Sequence, residues 1–204
     1  MKKIFNVCPQ FVLATLSQTR IDMFRETGIP FSVEPHDVDE EKIKKTKFCE
    51  QKERLATSLA EAKARSVEKK HPNKIIIGSD QILICEDKLL SKPVNLKEAE
   101  RNLLFLAGRH HYLWSSVVVL NSGSIKLSVQ KKAYVYFKNI SKKEIRSYIY
   151  SNKNTVLSSV GCYKIEENEK YGYIKILFGD EETIKGFPIQ KLLEKIRSEK
   201  CFTL

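Results

Sequence analysis

Hydrophobic and polar positions along the chain switch between a period of about two and a period of about 3.6, and the alternation predicts an α/β protein. FVLAT (11–15) reads as a short buried strand, followed by a helix near residues 19–27 that Gly28 can terminate. FSVEP (31–35) is a second short strand. A longer helix over about 52–70 stops before His71-Pro72, because proline disfavours a helical residue ahead of it. KIIIGSD (74–80) reads as an apolar strand that ends on Gly78 and presents Ser79, Asp80 and Gln81. QILICEDKLLSK (81–92) reads as a hairpin turning at Glu86-Asp87-Lys88. Asn95 and Glu98 form a capping pair for a helix that Gly108 closes. YLWSSVVVL (112–120) and SIKLSVQKKAYVYF (124–137) are long strands joined by Asn121-Ser122-Gly123-Ser124, a hairpin signal. Ser141 with Glu144 caps a helix through Tyr150, YGYIKILF (171–178) is a late strand, and a helix over about 188–197 ends the fold.

Without a repeat or low-complexity linker, residues 1–204 read as one domain, bilobed around a cleft. With 42% hydrophobic and 30% charged residues, the composition is that of an ordinary soluble globular protein. No apolar run approaches the roughly 20 residues that cross a membrane. The start, MKKIFNVCPQFVLATL, imitates a secretory signal, but Asn6, Pro9 and Gln10 interrupt it and FVLAT fits a buried strand better. Five scattered cysteines (Cys8, Cys49, Cys85, Cys162, Cys201) include no CxxC pair, which argues against a disulfide framework or structural zinc and for reduced thiols in the cytoplasm. The net charge of +11 raises nucleic acid as a partner. Yet the lysines are spread along the chain among 25 acidic residues, and the densest run, KIKKTK (42–47), falls in a polar connecting segment. A small polyanionic substrate fits that distribution better.

Asp80 carries the first candidate chemistry. Ligands bind at the carboxyl ends of strands in α/β sheets, so Asp80 either caps its strand end or serves there as a general base or metal ligand. Lys92-Pro93 follows twelve residues later and Lys63 lies about a helix upstream; an acid and two ammonium groups converging on one crevice point to a phosphate-bearing substrate. Helical spacing puts Ala56, Ala60, Lys63 and Val67 on one stripe, so Lys63 either snorkels to the surface or reaches into a cleft. In LATLSQTR (13–20), a strand runs through Thr15 and Ser17 into a helix whose first turn carries Arg20. That arrangement is an anion cradle or simply a hydroxyl-capped helix with a surface arginine. It is not a P-loop, since the glycines and the GK[ST] ending are missing. Asp37, Asp39 and Glu40 in HDVDEE can hold Mg²⁺ or form a solvated loop. His110 and His111 are adjacent on a strand and face opposite ways, so they are expected as surface or core residues, and Tyr134, Tyr136 and Phe137 as sheet packing.

Taken in order, these segments make the chain resemble the Maf family of nucleoside triphosphate pyrophosphatases over nearly its full length. The matching motifs are LATLSQTR, DVDE (37–40), LAEAKA with Lys63, GSD with Asp80, Lys92-Pro93, GRHH (108–111), SKKEIRSY, GCYKIE and Gly186-Phe187-Pro188. The resemblance implies a mixed twisted sheet with flanking helices in two lobes around a deep cleft, commonly a homodimer. It also implies Mg²⁺- or Mn²⁺-dependent hydrolysis of a nucleoside triphosphate to the monophosphate and pyrophosphate. Carried over by position, Asp80 is the base that activates water, Arg20, Lys63 and Lys92 hold phosphates, and Glu40 organises the metal or water. Glu40 and Asp80 become the metal's ligands. Thr15, Ser17, Arg20, Gln81, Lys164 and Glu166 become substrate contacts.

Several positions depart from the family pattern. Thr19 replaces the first of two arginines, Gln18 stands where proline is common, and Lys164 with Glu166 replaces a Gly…Gln pattern. Gln81 and the Lys164/Glu166 pair look like the branch similar to 7-methyl-GTP pyrophosphatases, whereas SSVGCY and Thr19 look like another branch. The leading expectation is a housecleaning enzyme acting on non-standard nucleotides. The competing expectations are a regulatory nucleotide-binding protein of cell-division arrest with little turnover, and a basic nucleic-acid-binding module, for which no recognised motif exists.

Overall fold

The computed structural model describes residues 10–48 and 51–198. The first part of the signal-like segment, Cys8, Cys49 and Cys201 lie outside the described residues. Strands β1 (Phe11–Ala14), β2 (Phe31–Glu34), β3 (Ile75–Cys85), β4 (Lys88–Leu90), β5 (His110–Asn121), β6 (Ser124–Phe137) and β7 (Ile174–Phe178) form one mixed sheet in the order β2-β1-β3-β5-β6-β7, with β4 also on β3. β2, β1 and β3 are parallel, and everything beyond β3 is antiparallel. The helices are α1 (Gln18–Arg25), α2 (Glu40–Lys47), α3 (Leu55–Glu68), α4 (Leu96–Leu106), α5 (Lys142–Ser151), α6 (Lys153–Ser158), α7 (Asn168–Tyr171), α8 (Glu181–Lys185) and α9 (Ile189–Ser198). None is long and apolar enough to cross a membrane.

The locally signalled elements form as the sequence predicts. Asn95 Oδ1 accepts from the Glu98 amide at 2.9 Å, and Ser141 and Glu144 make a reciprocal capping box at the start of α5. The β5–β6 hairpin turns on Ser122 and Gly123, both at positive φ (52° and 77°), the geometry whose twist matches paired strands. The β3–β4 hairpin turns in the same way on Glu86 and Asp87 (47° and 61°).

The late strand expected over 171–178 begins only at Ile174, because Tyr171 ends α7 and Gly172 turns at φ 62°, and two further expectations need correction. The strand expected to end on Gly78 runs unbroken to Cys85. Only its pairing with β1 stops there: Ala14 faces Gly78, and β4 takes up the same flank from Leu83. Residues 79–82 are therefore unpaired on that flank while β5 pairs them on the other, Asp80 opposite Ser116. The second correction is KIKKTK, which lies in helix α2 rather than in a connecting segment. Its sequence has one apolar residue, Ile43, so no period shows; Asp39 starts it by accepting from the Lys42 amide at 3.0 Å.

Side-chain alternation along β3 assigns its halves to different packing groups. Ile75 and Ile77 join Phe24, Phe187 and Leu192 on the face covered by α1 and α9. Leu83 and Cys85 lie on that face too, in a cluster built with Leu103, Phe137 and Ile145. On the opposite face, Ile76 and Ile82 pack against α3 through Ala60, Ala64 and Leu59. Gly78 permits that approach: a Cβ there would lie 2.1 Å from the Ala60 carbonyl oxygen and 2.8 Å from Ala64 Cβ. Cys85 and Cys162 are free and buried.

Candidate active site

Asp80 sits two residues beyond Gly78, so it shares the α3-facing side of β3. The close approach at Gly78 brings Lys63 of α3 directly over it. Lys63 is 4% exposed and does not snorkel outward; its Nζ lies 2.6 Å from Asp80 Oδ1 and 2.8 Å from Glu40 Oε1. Next to this group, Thr57 of α3 and Ser116, the β5 partner of Asp80, share a 2.9 Å hydrogen bond that pins helix to sheet. Asp80 Oδ2 has no hydrogen-bond partner among the described residues.

Arg20 closes the unpaired flank of β3. Its Nη1 donates to the Ser79 carbonyl at 2.8 Å and its Nε to the Gly186 carbonyl at 3.1 Å, satisfying a backbone acceptor that β1 and β4 both leave bare. The remaining nitrogen, Nη2, has no acceptor among the described residues. Thr15 is buried and accepts the Ser17 amide at 3.1 Å; Ser17 takes the N-cap position of α1, but its hydroxyl makes no capping bond. Thr15, Ser17, Arg20, Glu40, Lys63 and Asp80 all border one cleft of about 810 Å³, and Gln81, Lys92, Lys164 and Glu166 line it as well. A cleft of that size falls within the usual range of about 300–1,000 Å³ for ligand sites.

The ten residues given roles by the family resemblance thus border one cavity, but not in equal ways. Gln81 faces away from Asp80, and its amide nitrogen donates to the Thr183 and Ile184 carbonyls (2.8 and 2.9 Å) and to Ser115 Oγ (3.1 Å). Its first task is to tie α8 to the cleft floor. Asp39 caps α2, and Asp37 is exposed and does not border the cleft. His110 is exposed and stacks with Tyr134, whereas His111 is buried.

Sequence reading missed His36 and Lys44. Lys44 reaches Glu41 Oε1 at 2.8 Å, Glu40 Oε2 at 3.6 Å and Ser91 Oγ at 3.4 Å, bridging two walls. Its i,i+4 spacing from Glu40 would have marked it had α2 been recognised. His36 Nε2 is 3.8 Å from Glu40 Oε1, and its Nδ1 is buried without a partner.

Electrostatics follow from this crowding. Burial alone would raise the Glu40 carboxyl, but Lys63, hydrogen-bonded to it, and then Lys44 outweigh burial and hold it below the usual carboxylate range. Loss of solvent within the walls lowers Lys92 although its side chain reaches the cleft mouth, and Arg20 and Lys63 push it further down. Burial likewise lowers Arg20, against the pull of Asp80 and Glu40. The described residues offer no group of three or more His, Cys, Asp or Glu side chains that could cage a metal ion. The unpartnered Asp80 Oδ2 and the loosely held Glu40 Oε2 nonetheless fit a hard divalent cation that completes its shell with phosphate oxygens and water.

Cations gathered round a carboxylate pair in a cleft of an α/β sheet define a protein that handles polyanions. Residues 10–199 match the Maf-like protein family, and the chain belongs to that family. Among its relatives is a nucleoside triphosphate pyrophosphatase of Pelagibacter ubique, 32% identical over 190 residues that span 92% of this chain and 97% of that protein. A 7-methyl-GTP pyrophosphatase of Bartonella henselae is 33% identical over 186 residues, 91% of this chain and 93% of its own. Another 7-methyl-GTP pyrophosphatase, from Brucella abortus, is 34% identical over 194 residues, 94% and 97% of the two chains. The Ham1 protein of Staphylococcus aureus superposes with a TM-score of 0.36 at 17% identity, covering 65% of this chain and 72% of that one, an overlap too loose to bear weight.

Proposed function

We propose that the protein hydrolyses a nucleoside triphosphate, non-standard or modified, to the monophosphate and pyrophosphate by attack of water on the α-phosphorus. The observation that carries this reading is the Lys63 ammonium clamped between Asp80 and Glu40, in a cleft that Arg20 and Lys92 also border. Lys63 occupies Oδ1 of Asp80 and leaves Oδ2 free to accept a proton from water. As the new P–O bond forms, Asp80 takes that proton and the bond from the α-phosphorus to the bridging oxygen breaks. The electron pair leaves with pyrophosphate. Lys92 and Arg20 Nη2 supply positive charge to the departing group, the lysine as a movable point charge and the guanidinium as a fixed fork. Glu40, and Asp80 until it takes the proton, would hold Mg²⁺ or Mn²⁺ together with the substrate phosphates, and the cation would neutralise charge on the phosphate oxygens.

Relatives named for nucleoside triphosphates and for 7-methyl-GTP match at similar identity, so 7-methyl-GTP stands as the second reading of the substrate. A purely regulatory nucleotide-binding protein has no need of a carboxylate with one oxygen free toward the cleft, and this supports turnover over binding alone. The deciding experiment measures pyrophosphate and orthophosphate released from a panel of ordinary, modified and methylated triphosphates with Mg²⁺ or Mn²⁺. Pyrophosphate with the matching monophosphate is expected. Orthophosphate as the first product would overturn attack at the α-phosphorus.

A further inference from the structure

The cleft that holds the charges assigned to phosphates is also walled by residues 157–161 and Tyr163, with Leu113 and Ile184. Behind that wall lies a polar pair that the chemistry above does not use. His111 on β5 is 1% exposed, and its Nε2 lies 2.6 Å from Tyr163 Oη, while its Nδ1 has no partner. Tyr163 packs in the apolar cluster beneath, against Phe137. Two apolar rings would fill this space without burying an orphaned nitrogen, so the polar pair needs a reason.

The loop supplies one. Gly161 lies flush on the tyrosine ring: a Cβ there would come within 2.5 Å of Tyr163 Cε1. Cys162 then turns at φ +58°, and Ser159 Oγ donates to the Tyr163 carbonyl at 2.8 Å. Gly161 is therefore moulded on one face of a ring whose hydroxyl, among the described residues, is held by His111, and Ser159 is tied to the same residue's carbonyl.

We propose that the wall formed by residues 158–161 reads the nucleobase, and that His111, acting through Tyr163, is the positioning residue that holds this wall in shape. The proposal rests on the nucleoside triphosphate reading above. With Arg20, Lys63 and Lys92 taken by the phosphates, the nucleoside falls against Leu157, Val160 and Ile184, which line the cleft with apolar side chains, beside Ser158, whose hydroxyl donates to the Thr155 carbonyl and can accept from a base edge. Burial keeps the imidazole neutral, its pKa pushed down to about 3, so the prop does not change with pH in the working range.

Calorimetric titration with a nucleoside monophosphate and, separately, with inorganic pyrophosphate tests this, because pyrophosphate carries phosphates but no base. In Tyr163→Phe and His111→Phe, monophosphate affinity is expected to fall about fivefold, the worth of one hydrogen bond, with pyrophosphate affinity within about twofold of the parent. His111→Gln, whose amide can take up the same bond, should restore most of the loss. In turnover, the two phenylalanine variants should raise KM and leave kcat nearly unchanged. Unaltered monophosphate affinity, or an equal loss of pyrophosphate affinity, overturns the proposal. So does a parent protein that binds pyrophosphate but no mononucleotide. Should those variants fail to fold, Gly161→Ala forces a methyl against the Tyr163 ring and displaces the wall while keeping both polar groups, and unchanged monophosphate binding there is equally decisive against it. A parent that hydrolyses no triphosphate sinks the reaction but leaves this binding comparison intact.

Discussion

At the scale of single residues, the site depends on how one lysine divides its charge. Lys63 contacts one oxygen of each carboxylate, leaving Asp80 Oδ2 without a partner among the described residues and Glu40 Oε2 with Lys44 at 3.6 Å. Asp80→Asn keeps the shape but removes the proton acceptor, so pyrophosphate release should fall by about 10²–10⁴-fold while nucleotide still binds. Lys63→Met leaves two largely enclosed carboxylates without their common partner; a loss of about 3–5 kcal/mol is expected in denaturant unfolding. The pH behaviour follows from the shifts at Glu40 and Lys92. Glu40 is held below its ordinary value, so it contributes stability above the unfolded carboxylate range and loses it as pH falls through the lower, folded value. Melting temperatures followed from pH 7 to 3 should drop, and Glu40→Gln should lessen the dependence. Lys92 is lowered, so it surrenders its proton at a lower pH than a free lysine. KM should rise on the alkaline side, and Lys92→Arg, which stays charged, should move that rise to higher pH.

Elements decide whether those residues can meet. Gly78 is the point of nearest approach between α3 and β3, and Asp80 meets Lys63 only because the helix lies that close. Gly78→Ala forces the two apart; overpacking costs about 1–3 kcal/mol, and the loss of activity should exceed what that destabilisation explains. Thermal melts and kcat on the same preparation separate the two effects. The elements legible in the sequence are those whose causes are local: the caps at Asn95 and Ser141, the turn at Ser122-Gly123, the apolar stripe of α3. Helix α2 was hidden because its support is a cap and charge pairs, not a period. The continuity of β3 was hidden too, since a strand losing one neighbour and keeping another looks, in sequence, like a strand that stops.

Across the whole molecule, the cleft is assembled by side chains that join distant segments. Arg20 ties α1 to β3 and to the turn after α8, and Gln81 ties the floor to α8 from the other face. Residue identity announced Arg20, Asp80 and Lys92 as candidates, because cations and an acid near expected strand and helix ends are unusual enough to notice, and Lys63 because it breaks an apolar helix stripe. What they touch was not legible. Nothing near position 81 in the sequence says that its amide would be spent on carbonyls about a hundred residues away, nor that His111 would lie under residue 163.

The open flank of β3 has one more outcome. Asp80 rides on a strand with ten of its eleven residues buried, laddered by β5 on one side and held by Arg20 on the other, so no moving loop has to deliver it to its target. The reacting group therefore shares the fate of the last part of the fold to come undone. On warming, activity and tertiary structure should disappear together, with no inactive yet still-folded stage in between.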